Sequence, residues 1–366
     1  MKRLQLAVAA LGIMCLMVYL SKTSKKHHEN EAPKEPTAKR YETIESSLAK
    51  ISSQSAKRTV EFLASDELEG RMSGKKGNVR AASFVKDALE SYGYRCSFQK
   101  FPISRVNPGP NKEEGDDFTQ NVLAWSEGKD PSARDEVVVV GAHMDHIGYG
   151  PRMSNAPGKM KIHPGADDNA SGTAALLEIA KCLSNLENKR TILFIAFSAE
   201  EMGLLGSKYY VEHPTLPESA PSIKKHIFML NMDMVGYLKK GRIKAALSSD
   251  SSSVDITRYI GELGEKYPFA KGITTRSSGG SDHASFYNKR IPVAFLHTGG
   301  HDYYHTPLDT PDRLNYEGIE DVSKYASELV WKVCQESRTP VFNHADFKPM
   351  QTDHDHGIRK FEENSK

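Results

Sequence analysis

Gly165-Ala166-Asp167-Asp168-Asn169-Ala170-Ser171-Gly172 is the stretch around which this chain is organised. Two adjacent carboxylates lie between glycines that permit close backbone approach, and residues 173–184 follow with the apolar spacing of an amphipathic helix. The acids have two interpretations. Either they cap the helix, whose N-terminus favours negative charge, or they share a cation, because acids that face one site otherwise repel each other.

Apolar segments typical of buried β-strands lie on both sides of this stretch. A run of four valines is the clearest, and the set comprises residues 137–140, 191–197, 226–232 and 291–296. Segments with helical spacing alternate with them at residues 78–92, 173–184, 203–211, 252–266 and 316–336. The alternation predicts an α/β fold, a three-layer sandwich in which helices flank a central, mostly parallel β-sheet.

Polar side chains follow the ends of these strands, where an α/β fold assembles a reaction site. His143 and Asp145 follow the valine run. Residues two apart on an extended segment point the same way, so Asp145 is positioned to accept the second N–H of the His143 imidazole. Glu200 and Glu201 follow the next strand, and a bend there lets their side chains point in different directions. Asp233 closes a very apolar strand without a cationic neighbour, which favours a metal ligand.

A later polar loop contains His305, with Asp309 placed to orient its imidazole. Two other polar positions receive structural interpretations. His146 is treated as a structural histidine, and Asp282, in Ser281-Asp282-His283, is treated as a helix cap.

The candidate metal ligands are five in number: His143, Asp168, Glu201, Asp233 and His305. Two histidines and three carboxylates, without cysteine, suit zinc or another borderline divalent ion. Five protein ligands are too many for one open tetrahedral zinc, whereas two ions about 3.5–4 Å apart that share one carboxylate use all of them. Asp168 is the candidate for the shared position.

Six motifs that occur in order carry a resemblance to a known family. They are His143-x-Asp145, the stretch 165–172, Ala199-Glu200-Glu201-x-Gly203-Leu204-Leu205-Gly206-Ser207, Asn231-Met232-Asp233, Ser281-Asp282-His283 and His305-Thr306-Pro307-x-Asp309-Thr310. Across residues 63–333 the chain resembles the zinc-dependent, two-metal aminopeptidase family that also includes glutamate carboxypeptidases and glutaminyl cyclases.

The resemblance implies a mixed sheet of about eight strands between helices and a role for each ligand. Asp168 would bridge two Zn²⁺ ions, or other divalent ions such as Co²⁺ or Mn²⁺. His143 and Asp233 would complete one ion, and Glu201 and His305 the other.

The implied function is an exported aminopeptidase, a metallo-exopeptidase that hydrolyses N-terminal residues from peptides with a free N-terminus. A metal-bridging hydroxide would attack the peptide, Glu200 would be the general base and acid, and Asp145 would orient His143. Two alternatives remain: a related metal-dependent hydrolase or glutaminyl-cyclase-like enzyme on the same fold, and an inactive binding protein. The complete ligand set favours an enzyme. The intact His143-x-Asp145 pair favours a peptidase over a cyclase, because cyclase relatives use a single zinc.

Composition excludes other classes of function. The net charge is +2, and no basic stripe is interleaved with aromatic residues, so nucleic acid is not a favoured partner. None of the four cysteines forms a Cys-x-x-Cys pair, which argues against a thiolate zinc site. Cys182 falls in a helical apolar pattern and is interpreted as a small buried side chain.

The N-terminus has the layout of an export signal. Lys2 and Arg3 precede an apolar segment, residues 4–20, which is also long enough to remain as a membrane tether. The protein is therefore expected outside the cytoplasm, either periplasmic or secreted, or anchored by this segment. The predicted divisions are a signal peptide or membrane anchor at 1–22, a flexible linker at 23–40, the zinc-peptidase catalytic domain at 41–337 and a polar tail at 338–366. An insertion at residues 148–163 is expected to be a solvated loop beside the pocket.

Overall fold

The computed structural model describes residues 42–103, 117–156, 158–215, 222–238, 252–270, 280–345 and 347–350. These residues all belong to one compact unit that begins at Glu42. The predicted leader at 1–22 and linker at 23–40 lie outside the described residues. Within the described ranges, no helix combines the length and the hydrophobicity needed to cross a bilayer.

Eight α-helices and six β-strands are present in the described part of the chain. The helices are α1 Ile44–Ser47, α2 Ser53–Leu63, α3 Lys76–Ser91, α4 Gly172–Leu183, α5 Leu205–Glu212, α6 Val254–Lys266, α7 His283–Asn288 and α8 Tyr316–Gln335. The strands are β1 Arg95–Pro102, β2 Phe118–Ser126, β3 Val137–His143, β4 Thr191–Phe197, β5 His226–Met232 and β6 Val293–Leu296.

The strands form one mixed sheet in the order β1-β2-β4-β3-β5-β6. Strands β4, β3, β5 and β6 are parallel to their neighbours, while β1 pairs with β2 and β2 with β4 in antiparallel fashion. The predicted α/β sandwich with a mostly parallel sheet is confirmed. The described residues contain six strands, fewer than the approximate count that the family resemblance implied.

The valine run occupies the centre of the sheet and is buried on both faces. Val138 and Val140 point into the larger core, which α2, α3, α4, α6 and α8 cover. Val137 and Val139 point into a second core, which α5 and α7 cover. A strand with helices on both sides has no solvated face, which is why this segment is uniformly apolar rather than alternating.

The order of the strands determines where a site forms. From β3 the chain passes to β4 on one side and then crosses to β5 on the other side. Such a reversal leaves a crevice beyond the carboxyl ends of the strands, because the two connecting segments diverge there. His143 ends β3 and Asp233 follows β5, so both lie at this crevice.

Part of the predicted polar tail packs against the folded unit. Phe342 is buried in the second core, with its ring 5.4 Å from that of Tyr287. The Met350 N–H donates to Asn288 Oδ1 at 2.8 Å. One buried aromatic residue and a few hydrogen bonds hold this segment, and neither changes the polar composition of the stretch noticeably.

Candidate metal centre

The two acids of the 165–172 stretch do not cap α4. Asp167 Oδ1 accepts the Gly236 N–H at 2.7 Å and so joins this turn to the segment after β5. The Gly172 N–H, at the first residue of α4, instead donates to Asn169 Oδ1 at 2.9 Å. The capping interpretation is therefore wrong, and the Asp168 carboxylate is left facing the crevice.

Asp168 lies at the centre of the five predicted ligands. Its Oδ1 is 3.3 Å from His143 Nε2, and its Oδ2 is 3.1 Å from His305 Nε2. His143 Nε2 is also 3.3 Å from Asp233 Oδ1, and His305 Nε2 is 3.1 Å from Glu201 Oε2. The structure thus brings all five side chains together, and all five are buried.

The orientation of these atoms fits a metal ion. His305 Nε2 and Glu201 Oε2 are buried and close to each other, yet neither forms a hydrogen bond with a described residue. Buried polar atoms almost always have partners, so two neighbouring atoms that are misaligned for a mutual bond indicate a common third partner. Imidazole and carboxylate donors are ligands of zinc and similar divalent ions.

The electrostatics of the cluster also favour a cation. Burial alone would lower the pKa of His143, but the carboxylates of Glu200 and Asp233 raise it well above its ordinary value. Burial would raise the pKa of Glu201, but His305 lowers it to about 2. The acids stay ionised only with positive charge beside them, which a divalent ion supplies.

Glu200 and Glu201 diverge at a strained bend after β4. Ala199 has a φ of +57°, which non-glycine residues rarely adopt. Its N–H donates to Ser73 Oγ at 2.8 Å, and the Glu200 N–H donates to Asp145 Oδ1 at 3.2 Å. These bonds hold the bend, with Glu201 beside His305 and Glu200 in the wall of the cavity described below.

Asp145 lies behind His143, on the side away from the other ligands. Its Oδ1 is 3.6 Å from His143 Nδ1, which is longer than a hydrogen bond. Its Oδ2 accepts a hydrogen bond from Ser73 Oγ at 3.1 Å. Asp145 therefore links the loop after β3 to the bend after β4, and its role in orienting His143 stays a prediction.

The predicted pairing of Asp309 with His305 is wrong. Asp309 accepts the backbone N–H groups of Asp167 and Asp168, at 2.9 and 3.1 Å. The second ring nitrogen of His305 donates instead to the Met153 carbonyl at 3.0 Å. Met153 belongs to the insertion 148–163, which therefore supports a candidate ligand. A backbone carbonyl can come from any residue type, so no sequence pattern reveals this contact.

The Asp282 side chain makes no capping bond at α7, so that interpretation is also wrong. The carboxyl is buried, and neither oxygen has a hydrogen-bonding partner in the described ranges. Burial and the nearby Glu200 raise its pKa well above the ordinary value. Cys182 is buried and free, as interpreted from the sequence.

Sequence reasoning missed Arg71, which is fully buried beneath the site. Its guanidinium donates to the carbonyls of Met144, Pro164 and Gly165 at 2.7–2.9 Å. Arg71 therefore holds together the loops that contain His143 and Asp168. The only indication of this role in the sequence was a charged residue in the turn after α2.

An open cavity of about 340 Å³ lies over the ligands. Its described lining comprises Asp168, Glu200, Glu201, Asp233, Met234, Gly280, Phe295, His297, Gly300, His301 and Tyr304. Arg152, Lys159 and Lys161 of the insertion are not among these residues. The described lining therefore combines four carboxylates and two imidazoles with an aromatic and thioether wall, and no Lys or Arg occurs among its described residues.

Imidazole and carboxylate side chains converge beyond the parallel strands of this α/β sheet. The fold and the site together place the chain in the class of α/β proteins with a candidate metal site. Residues 121–330 match peptidase family M28, and the chain belongs to this family. Among curated proteins, it is 28% identical over 229 residues to aminopeptidase YwaD of Bacillus subtilis, covering 61% of this chain and 46% of that protein. The chain spans about half the length of the curated relatives it matches.

Solved structures share the fold. A zinc aminopeptidase from Bacillus subtilis aligns with a TM-score of 0.65 at 18% identity, covering 83% of this chain and 98% of that one. A glutaminyl cyclase from Porphyromonas gingivalis aligns with a TM-score of 0.62 at 20% identity, covering 76% and 98%. At this identity the likeness defines the fold and leaves open which reaction the chain catalyses.

Proposed function

We propose that this protein is an aminopeptidase that uses two divalent metal ions to release N-terminal residues from peptides. One observation carries the proposal: five ligand side chains from five separate segments of the chain converge at Asp168, beside an acidic cavity. In this proposal Asp168 would contribute to both ion positions. His143 and Asp233 would hold one ion, and Glu201 and His305 would hold the other. When bound, two zinc ions, or cobalt or manganese ions on the same ligands, lower the pKa of water in the site and polarise the scissile carbonyl.

Glu200 is the residue proposed to move the proton. Its carboxylate lines the cavity, and its backbone is tied to Asp145. Glu200 takes a proton from the attacking water and delivers it to the departing amine as the C–N bond breaks, so one water is consumed for each bond cleaved. Asp145 lies behind the His143 ring and accepts the Glu200 N–H. It therefore holds the general base Glu200 and the ligand His143 in fixed positions relative to each other.

The cavity favours the amino end of a peptide over the carboxyl end. Recognition of a terminal carboxylate normally uses Arg or Lys, and neither occurs in the described lining. Carboxylate oxygens, by contrast, accept hydrogen bonds from an α-amine. Met234 and Phe295 offer apolar surface for the side chain of the first residue.

The test is Glu200→Gln, assayed with aminoacyl reporter substrates alongside zinc analysis of the same samples. We expect kcat to fall by about 10²–10⁴-fold while the zinc content is unchanged, because Glu200 is not a proposed ligand. Glu212→Gln, at an exposed position in α5, is the matched control and should retain full activity. Full activity in Glu200→Gln would refute the assignment of the base.

Product analysis separates the peptidase from the glutaminyl-cyclase-like alternative. A peptide with a free N-terminal glutamine should lose that residue, and the same peptide with a blocked amine should be left intact. Conversion of the N-terminal glutamine to pyroglutamate, without release of a free amino acid, would support the cyclase instead.

We also propose that the protein works outside the cytoplasm. The support is the basic start and the apolar residues 4–20 of the sequence. N-terminal sequencing of protein recovered from fractionated cells tests this. Full-length protein found only in the cytosolic fraction would contradict it.

A further inference from the structure

His146, interpreted as structural from its sequence position, lies inside the metal centre. Its side chain is fully buried, and its Nδ1 is 2.8 Å from Glu201 Oε1 and 3.7 Å from Asp168 Oδ2. The ring lies against Gly165, where an added Cβ would come within 2.5 Å of His146 Cδ2. Only glycine at that position, which also has a φ of +58°, lets the ring reach the carboxylates.

The contacts of His146 lie on one side of its ring. Nδ1 faces two carboxylates from different loops, whereas Nε2 has no hydrogen-bonding partner among the described residues. The ring also meets the His305 ring edge to face, with centroids 5.4 Å apart. The contact between Nδ1 and Glu201 Oε1 has the geometry of a hydrogen bond, and Asp168 Oδ2 lies beyond hydrogen-bonding distance of the same nitrogen. Nδ1 is thereby directed towards the point that the ligand atoms of Asp168, Glu201 and His305 also surround.

The distances suit a four-ligand site. Ligand atoms of His146, Asp168, Glu201 and His305 lie within 4.8 Å of one another. Bonds of about 2.0–2.1 Å in a tetrahedral zinc site imply ligand-to-ligand separations of about 3.4 Å. The contacts between neighbouring members of this set are 2.8, 3.1, 3.1 and 3.7 Å, with Glu201 facing His146 through Oε1 and His305 through Oε2.

The other half of the centre is different. Among the described residues there, the group around one point that includes neither Glu200 nor Glu201 consists of His143, Asp168 and Asp233. Three protein ligands leave a position for water or substrate, whereas four fill a tetrahedral zinc. The two ion positions are therefore unequal.

We propose that His146 is a fourth protein ligand of the ion held by Glu201 and His305, which makes that position closed and leaves the His143–Asp233 position open. This rests on the two-metal part of the proposed function. The closed position fills first and holds its ion tightly, while the open position receives the substrate.

Wild-type protein loaded with a single equivalent of zinc tests the inference without any substitution. X-ray absorption at the zinc edge counts the imidazoles bound to that ion. The closed position contains two imidazoles, from His146 and His305. A single imidazole per zinc would overturn the proposal.

Substitution of His146 distinguishes a ligand from a hydrogen-bonding partner of Glu201. In His146→Asn, the amide N–H takes the place of Nδ1 as a donor to Glu201, whereas His146→Ala removes both functions. Metal-free protein would be titrated with Co²⁺ and followed by calorimetry and visible absorption. We expect both variants to lose the tighter binding step, with metal affinity reduced about 100-fold or more. Loss of a residue that only supports a ligand typically reduces metal affinity by about 10–100-fold.

His226→Asn is the matched control, because His226 is also buried but lies at the amino end of β5, opposite Asp233. It should bind both ions as the wild type does, and circular dichroism of each metal-free variant reports folding. Wild-type affinity in His146→Asn would overturn the ligand assignment. Wild-type protein that binds no ion would overturn the proposed function instead, so the two failures are distinct.

Discussion

At the scale of single residues, Arg71 has a structural role outside the set of ligands. It is a buried cation whose guanidinium donates to backbone carbonyls of the two loops that present His143 and Asp168. Burial lowers its pKa to about 10, partly offset by Asp168 and Asp145. Arg71 therefore remains charged at neutral pH and compensates part of the negative charge of the centre.

We expect Arg71→Lys to destabilise the protein and to weaken metal binding. A lysine ammonium cannot reproduce the planar array of donors, so buried carbonyls lose partners, at a cost of about 2–4 kcal/mol in the free energy of unfolding. Urea unfolding and zinc calorimetry measure the two effects. Arg190→Lys is the control, because Arg190 is equally buried but binds Glu136 and the end of α8. It should reduce stability and leave zinc affinity unchanged, and an equal loss of zinc affinity in both variants would contradict the role given to Arg71.

His226 should make stability dependent on pH independently of the metal centre. It is buried at the start of β5 with Nε2 2.7 Å from Tyr210 Oη, and burial lowers its pKa from 6.5 to about 4. The unfolded chain takes up this proton near pH 6.5 but the folded chain only near pH 4, so stability is lost progressively as the pH falls between these values. The loss from pH 7 to pH 5 should be on the order of 2 kcal/mol.

Urea unfolding at the two pH values, in wild type and His226→Asn, measures this term. The variant should lose less stability on acidification than the wild type does. The exposed His213 supplies the comparison, because His213→Asn should keep the full dependence. Identical pH dependence in all three proteins would show that His226 does not contribute.

At the scale of elements, the insertion 148–163 stabilises the loop that carries His305. Its Asn155 N–H donates to the His305 carbonyl at 2.8 Å, and Asn155 Nδ2 donates to the Tyr304 carbonyl at 3.1 Å. His305 has a φ of +53°, a conformation that persists only when surrounding contacts enforce it. With the Met153 carbonyl on its ring, the insertion acts as the outer support of one candidate ligand.

Replacing residues 151–161 by a short Gly-Ser connection should weaken binding of one of the two ions. The lost support of a ligating histidine typically costs about 10–100-fold in metal affinity. Zinc calorimetry measures this, with circular dichroism to confirm that the sheet is retained. The control keeps the loop and replaces its exposed Lys159 and Lys161 with serine. If both variants bind zinc as the wild type does, the insertion has no supporting role.

At the scale of the whole molecule, the centre concentrates buried acids at one edge of the sheet. The buried carboxyl groups there are Asp145, Asp167, Asp168, Glu200, Glu201, Asp233, Asp282 and Asp309. Within the described residues, Arg71 is the buried guanidinium whose charge acts on this set. Removing divalent ions would leave these charges in a dry environment without adequate compensation, which should lower the stability of the entire fold.

We therefore expect a chelator to lower the thermal unfolding midpoint by about 10 °C. Ions that bind only the folded state add about 4 kcal/mol to the free energy of unfolding when they are present at about a thousand times their dissociation constant. Differential scanning calorimetry with and without chelator, followed by readdition of zinc, measures the change. In Asp168→Ala the chelator should have little further effect, because the shared ligand is absent. A chelator-independent midpoint in the wild type would contradict a metal in this site.

The sequence alone determined the fold class and the set of candidate ligands. Uniformly apolar strands reveal their own burial, and polar residues directly after such strands must lie at the same edge of a parallel sheet. Asp168, Glu201 and Asp233 were predictable for this reason, because each is adjacent in sequence to a strongly patterned element.

The tertiary structure decided which groups support those ligands. Asp309 binds backbone amides rather than His305, and the insertion supplies the partner of the His305 ring. Arg71 reaches the centre from a turn that carries no such signal, and the position of His146 after the valine strand did not show that its ring faces Glu201. Each of these contacts joins segments far apart in the chain, often through backbone groups that every residue possesses, so only the folded arrangement specifies them.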